Sequence, residues 1–386
     1  MILRRNSEWL AIGIVLCAMI TPALTHAENT LVPFLSLTGA YDDNLFFSRS
    51  DTVDDFLVTV APGITWEHQS ELLTVKSSNI VEIDRYLDEK DLDTEKFDLA
   101  LEGVYRFLPR WEGAWLLSYI KDTTLDRELQ EETGFLVERS DRERYEAGGG
   151  VSYELSPVSS VGATYSFTAK EYESQTLVDF DRHLVGLSYS RKLKTQTDTI
   201  SVLPTYSSRD SDLNTIDEYA LGLAWDHNLS PVWKLHTLLG VRYDEIDFKR
   251  GEEDTDDWGV IVDAFLRRLG RTSSFTIGLR RDTRVTGRGT PVEVDRLYFR
   301  ALYSLTERLE AGFFGQLFVN RRLGESFSAD SRYFELRPTL GYNITRNHKL
   351  ILSYRYSNDY EEDLSDRTAD RNEVWLTLNL TFPRKF

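Results

Sequence analysis

The closing stretch, Asn372 to Phe386, constrains this chain more than any other part of it. Val374, Leu376, Leu378, Leu380 and Phe382 share one face of an extended strand, and Trp375, Thr377, Asn379 and Thr381 share the other, because successive strand side chains point to opposite sides. The stretch ends on an aromatic residue, Phe386. A strand that is apolar at every second position suits a sheet with lipid on one side and water on the other. The same alternation recurs along the whole chain, while no helix-length apolar run follows the first thirty or so residues. These features together predict an all-β fold: a transmembrane antiparallel β-barrel, whose lipid-facing residues appear at alternate positions only.

Eighteen segments carry the pattern. The first is Val32 to Tyr41, and the second is marked by Phe56, Val58, Val60, Ile64 and Trp66. Later ones are marked by runs such as Tyr219-Leu221-Leu223-Trp225 and Leu350-Leu352-Tyr354-Tyr356. Connections after even-numbered segments read as short turns rich in Pro, Ser, Asn and Gly. Those after odd-numbered segments read as acidic loops of ten residues or more. This is the asymmetry of short periplasmic turns and long extracellular loops, and an even strand count puts both termini on the periplasmic side. The longest loop, Lys121 to Arg144, is the candidate for folding inward. Pro62, Pro204 and Pro338 are expected to mark bulges or strand ends, since proline cannot donate to a ladder.

Residues 1–27 read as a secretory signal peptide, leaving 28–386 as the barrel. Arg4 and Arg5 supply the positive region, Trp9 to Ile20 the apolar run, and Thr25-His26-Ala27 the cleavage site. The only cysteine, Cys17, lies in that segment, so no disulfide or thiolate metal site is expected beyond it. The 45 basic and 63 acidic residues give a net charge of −18, which argues against nucleic acid as a partner. No Gly-x-Ser-x-Gly elbow, His-Glu-x-x-His pair or Walker loop occurs. His68, His227 and His348 fall at expected periplasmic turns. The sequence therefore predicts no enzyme, no catalytic residues, no metal and no cofactor.

If the apolar parity faces lipid, the other parity faces the lumen, and it collects charge. Arg242, Arg280, Arg300, Arg337 and Arg355 lie on the eleventh, thirteenth, fourteenth, sixteenth and seventeenth segments, and Asp263, Asp282 and Glu335 lie among them. These eight are the expected pore-lining residues. The arginines either form a track for anionic solutes or an acidic polysaccharide, or pair with the carboxylates and brace the wall. Barrels of 16–18 strands have room for an aqueous channel.

The first hairpin reads Leu37-Thr38-Gly39-Ala40-Tyr41-Asp42-Asp43-Asn44-Leu45-Phe46. It resembles the opening of the outer-membrane β-barrel porin group associated with exopolysaccharide and capsule systems, in which an aromatic-Asp-Asn-hydrophobic motif ends the first strand. The resemblance implies an outer-membrane conduit in a Gram-negative bacterium, exporting an exopolysaccharide or another polar solute, with periplasmic secretion components as partners. Two alternatives stay open. One is a general or anion-preferring diffusion porin. The other is a structural sheath around a periplasmic or surface partner such as an electron-transfer protein. In every case the barrel is expected to contact outer-membrane lipid and lipopolysaccharide.

Overall fold

The computed structural model describes residues 28–386 except 195–196, 250–253, 324–330 and 363–367. The expected signal peptide, including Cys17, lies outside the described residues, as do Glu252 and Glu253 of an expected acidic loop. Eighteen strands follow one another: β1 (Glu28–Asp42), β2 (Asp55–Gln69), β3 (Leu73–Tyr86), β4 (Thr94–Leu108), β5 (Trp111–Thr123) and β6 (Asp141–Ser156). Then come β7 (Ser159–Tyr172), β8 (Phe180–Lys192), β9 (Asp198–Ser211), β10 (Asn214–Ser230), β11 (Trp233–Phe248) and β12 (Thr255–Leu269). The last six are β13 (Ser273–Val285), β14 (Pro291–Ser304), β15 (Leu309–Arg322), β16 (Ser331–Asn343), β17 (His348–Glu361) and β18 (Thr368–Thr381). Each pairs antiparallel with its neighbour in sequence, and β18 pairs back onto β1 from Phe34↔Thr381 to Asp42↔Glu373. The sheet is a closed barrel. Beyond Pro383 the chain continues beside β1, with Thr30 opposite Lys385, and Phe386 and Asn29 exchange backbone hydrogen bonds.

The expected apolar parity faces outward. Leu221, Leu239, Leu279, Leu352 and Leu376 are all exposed on the outer wall, where lipid rather than water is the natural solvent. Aromatic residues sit opposite one another at the loop ends of the hairpins: Tyr41 and Phe56, Tyr119 and Tyr145, Tyr206 and Tyr219, Tyr243 and Trp258. Their ring centroids are 4.9–5.1 Å apart. Trp111 and Tyr153 form a like pair, 4.6 Å apart, at the turn end. Several tyrosine hydroxyls also donate to a nearby carboxylate: Tyr41 to Asp54, Tyr206 to Asp217, Tyr243 to Asp256 and Tyr356 to Asp370. Ring and hydroxyl thus meet apolar and polar surroundings at one level, as an interfacial girdle requires.

Two expectations are corrected. Only the links 43–54 and 124–140 exceed ten residues, and β9 and β10 are joined by Asp212 and Leu213 alone. The strands run to 13–17 residues, whereas about 9–11 span a bilayer. Hairpins therefore rise past the girdle and absorb residues that read as loop. The prolines are neither bulges nor strand ends. β2 keeps one register with β3 on both sides of Pro62, at Val60↔Ile83 and Gly63↔Ile80. The β8–β9 ladder does so around Pro204 and the β16–β17 ladder around Pro338. Each proline stays paired on its other side, opposite Leu35, Leu221 and Phe313. The missing N–H interrupts one ladder without displacing it.

The wall is also unlaced at one place for another reason. β12 and β13 pair only from Leu269↔Ser274 to Val262↔Arg281, so Thr255–Ile261 and Asp282–Val285 have no ladder to each other. The tip of the β13–β14 hairpin runs inside β12 instead. The face of β13 that points outward lower down becomes covered, from Leu279 at 45% exposed to Val285 at 5%. Val285 packs with Ile216 and Ile246, which point inward from β10 and β11, and with Phe248.

Candidate functional site: the lumen constriction

The link between β5 and β6 folds into the lumen. Its first part is a wide helix, α1 (Thr124–Thr133), opened by Asp126, whose carboxylate accepts from the Thr123 backbone N–H at 3.2 Å and from the Thr123 hydroxyl at 2.9 Å. It ends at Gly134, which has φ +61° and donates its N–H to the Leu129 carbonyl. Leu125 and Leu129 are buried against Val292 and Val294 of β14, Phe318 of β15, Tyr333 of β16 and Ala369 of β18. Phe47, from the link after β1, joins the same cluster. The polar face of α1 ties it to the other side of the barrel. Asp126 reaches Lys96 of β4 at 2.9 Å, Arg127 pairs with Asp98, and Glu132 pairs with Arg142 and Arg144 of β6 and Lys170 of β7. Glu128 accepts from Arg142, from the Tyr172 hydroxyl at 2.8 Å, and from the backbone N–H of Gly287 at 2.7 Å.

Held on both sides, α1 crosses the lumen. Burial alone raises the pKa of Asp126 and Glu132, but the nearby cations outweigh it: Lys96 for Asp126, and Lys170, Arg142 and Arg144 for Glu132. Both carboxyls are held below their ordinary range and stay ionised. The β13–β14 tip completes the constriction. The Val178 N–H donates to the Gly287 carbonyl, and Asn214 Nδ2 to that of Gly289. On the loop side, an open cavity of about 920 Å³ is lined in part by Arg49, Asp91, Glu138, Arg139 and Arg288.

The eight expected pore-lining residues are spread over three environments. Arg280 is 45% exposed, with Asp263 at 3.8 Å and Asp282 at 3.4 Å; Asp282 also holds Arg284 at 2.6 Å. Arg300 and Arg337 lie on the Phe314 ring at 5.4 and 5.0 Å, and Arg337 has Glu335 at 3.6 Å. These groups face the lumen. Arg355 and Glu335 lie at the foot of α1 rather than on an open wall. Arg355 pairs with Glu373 and donates to the Gln130 side chain, while Glu335 is buried and accepts from Gln316 Nε2 at 2.8 Å. Arg242 is away from the open lumen altogether. Its fully buried side chain is clamped between β11–β12 and the covered hairpin by Asp244, by Asp257 at 3.3 Å and by Glu293 at 3.6 Å. The arginines therefore do not form one continuous wall.

Sequence reading missed a second basic group. Arg182 of β8, Arg209 of β9 and Arg284 of β13 project inward within electrostatic reach of one another. Arg284 also lies within electrostatic reach of Glu132 on α1. Arg182 has only Glu218, at 4.0 Å, as an ion-pair partner among the described residues. Arg209 has none among them; its guanidinium lies 4.9 Å from the Phe180 ring and its Nε is without a hydrogen-bond partner. Arg300 likewise makes no ion pair among the described residues, only its stacking on Phe314. The expected arginine wall lay in the carboxyl-terminal half of the chain, from Arg242 to Arg355, and Arg182 and Arg209 fall outside it. It also missed the greasy inner patch. Its signal is apolar residues at both parities, as in Phe313-Phe314 and Leu317-Phe318-Val319, which marks inner wall covered by protein.

The motif at the first hairpin has a local role. Asn44 is buried and donates to the carbonyls of Ser48 and Asp370, each at 2.8 Å. Asp42 pairs with Arg371, and Asp43 accepts from the Asn372 backbone at 2.6 Å. These contacts tie β1 to β18 at the loop end.

No protein-family model matches the chain, and no curated protein matches it in sequence. In three dimensions it is similar to OccK2 (OpdF) from Pseudomonas aeruginosa, at 11% identity, covering 93% of this chain and 99% of that one with a TM-score of 0.50. The same protein in complex with glucuronate gives 12%, the same coverage and 0.50. A BenF-like porin from Pseudomonas fluorescens gives 10%, 92%, 99% and 0.48. The likeness is one of fold: a closed, eighteen-stranded antiparallel barrel of the outer-membrane porin type.

Proposed function

We propose that this barrel is an outer-membrane channel that passes small polar solutes and favours organic anions. The carrying observation is the inward cluster of Arg182, Arg209 and Arg284, in which Arg209 has no ion-pair partner among the described residues. An unpaired guanidinium at a constriction raises the local concentration of anions, and its planar fork suits carboxylates. The neighbour of similar fold in complex with glucuronate is a precedent for a carboxylate ligand in such a barrel. The helix α1 crossing the lumen favours a small solute over a polymer, which weighs against an exopolysaccharide conduit and a sheath.

In this reading the long links face outward, and the tyrosine–carboxylate girdle sits at the lipopolysaccharide headgroups. The test is the reversal potential in planar bilayers under a KCl gradient. The native barrel is expected to be anion-selective, and Arg182→Glu with Arg209→Glu to make it cation-selective. Unchanged selectivity in the double variant would defeat the proposal.

A further inference from the structure

Three observations bear on the unlaced stretch of wall. The first is the missing ladder itself: among the described residues nothing pairs with the free edge of β12 from Thr255 to Ile261. Elsewhere in the barrel such an edge is closed by backbone hydrogen bonds, which lipid makes very costly to break because nothing replaces them. The second is the overlap. Inward-facing side chains of β10 and β11 lie directly on outward-facing side chains of β13 and β14, so side chains alone hold the two layers. One contact is apolar, Val285 with Ile216 and Ile246. Another is the buried ion cluster of Arg242 with Asp244, Asp257 and Glu293, and the hydrogen bonds from Asn214 Nδ2 to the Gly289 carbonyl and from Thr283 Oγ1 to Asp244 add to them. Gly259 makes room for it: a Cβ there would lie 2.4 Å from the Arg242 guanidinium. The third is depth. Trp258, 72% exposed and with its ring tilted against that of Tyr243, places the free edge at the girdle, where the apolar band gives way to the interface.

We infer that the β12–β13 seam is a lateral gate joining the lumen to the membrane interface, and that it admits amphipathic organic anions, with a carboxylate or sulfonate head and an apolar tail. The lining matches that chemistry. On the hairpin, Val285 faces the seam while its neighbour Arg284 faces the lumen beside Arg182 and Arg209. Displacing the hairpin tip would expose the apolar trio to a tail with the arginines within reach of the head. That displacement breaks no ladder between β12 and β13, because none is formed there. It does unmake the contacts of Gly287 with Glu128 and Val178, which couples the gate to the constriction. The inference rests on the channel reading and adds a second way out of the same lumen.

A reversible lock tests it. Thr283 Oγ1 lies 3.5 Å from Asp244 Oδ2 across the overlap, so Asp244→Cys with Thr283→Cys should form a disulfide that pins the two layers. The full barrel is reconstituted in vesicles containing trapped albumin, and the arrival of decanesulfonate inside is compared with that of methanesulfonate. Reduced protein should pass both. Oxidation should lower decanesulfonate transfer at least tenfold and leave methanesulfonate within twofold. Glu293→Gln, which weakens the clamp on Arg242 without a cross-link, should speed decanesulfonate severalfold and serves if the cysteine pair fails to fold. Equal decanesulfonate transfer in the oxidised and reduced states, or none in the native barrel alongside normal methanesulfonate flux, would overturn the gate. Absence of methanesulfonate flux in the native barrel would overturn the channel reading and the gate with it.

Discussion

Gly134 shows how much of the constriction hangs on single positions. Its φ of +61° lies in the left-handed region, and a Cβ there would sit 2.2 Å from the Phe318 ring. The backbone term for a non-glycine residue is about 1–2 kcal/mol, and the displaced ring adds to it. Gly134→Ala is expected to loosen α1 and raise single-channel conductance, while the thermal transition of the barrel shifts little, because only the Phe318 ring has to move and β15 keeps its backbone ladders on both sides. An unaltered conductance would show that α1 does not set the narrowest point. At this scale the sequence was only partly legible. Parity assigns Glu335 and Arg355 to the inner face, but parity carries no information on whether that face is wet. Burial of both under α1 depends on Gln130, which lies more than two hundred residues away from Arg355 in the chain.

The element that fills the lumen is the 124–140 link. Replacing residues 124–133 with a short glycine–serine linker removes both the plug and its anchors, and conductance is expected to rise severalfold; an equal or lower value would sink the assignment. Its acid response can also be stated. The Asp126 and Glu132 values lie below their ordinary 3.8 and 4.5. Their docking contribution is therefore complete above about pH 4.5 and fades only as pH falls through the lowered values. Conductance should stay flat from pH 7 to 5, and a rise in that window would show that these carboxylates are not ion-paired. The sequence singled out this link by its length and charge density. Which of its residues dock was not legible, because Leu125 and Leu129 gain meaning only against Val292, Phe318 and Tyr333.

For the molecule as a whole, stability follows from the outer parity. Leu352, exposed on the lipid face, tests this: Leu352→Arg near the middle of the band should cost about 2–4 kcal/mol, read as a lower midpoint in urea refolding into lipid vesicles. Lys76→Ala, at a half-exposed lumen-side position, should cost little in the same assay. Equal losses at the two positions would mean that the apolar face is not the one in lipid. Closure matters at this scale too. The β1–β18 ladder joins the first strand to the last, and Asp42 with Arg371 and Asn44 with Asp370 fasten it at the loop end; among the described residues the long break in the wall is the β12–β13 seam.

The sequence alone determined the strand number, the strand order and the lipid-facing side, because period-two alternation and antiparallel hairpins are local properties that each segment carries within itself. It did not determine what fills the middle. Folding α1 across the lumen, burying Arg242 behind the β13–β14 hairpin and gathering Arg182, Arg209 and Arg284 all bring together strands far apart in sequence. Only closure of the barrel fixes those distances. A charged residue on the inner face can line water, brace a loop or close a seam, and which of these it does depends on the neighbours that closure brings within a few ångströms.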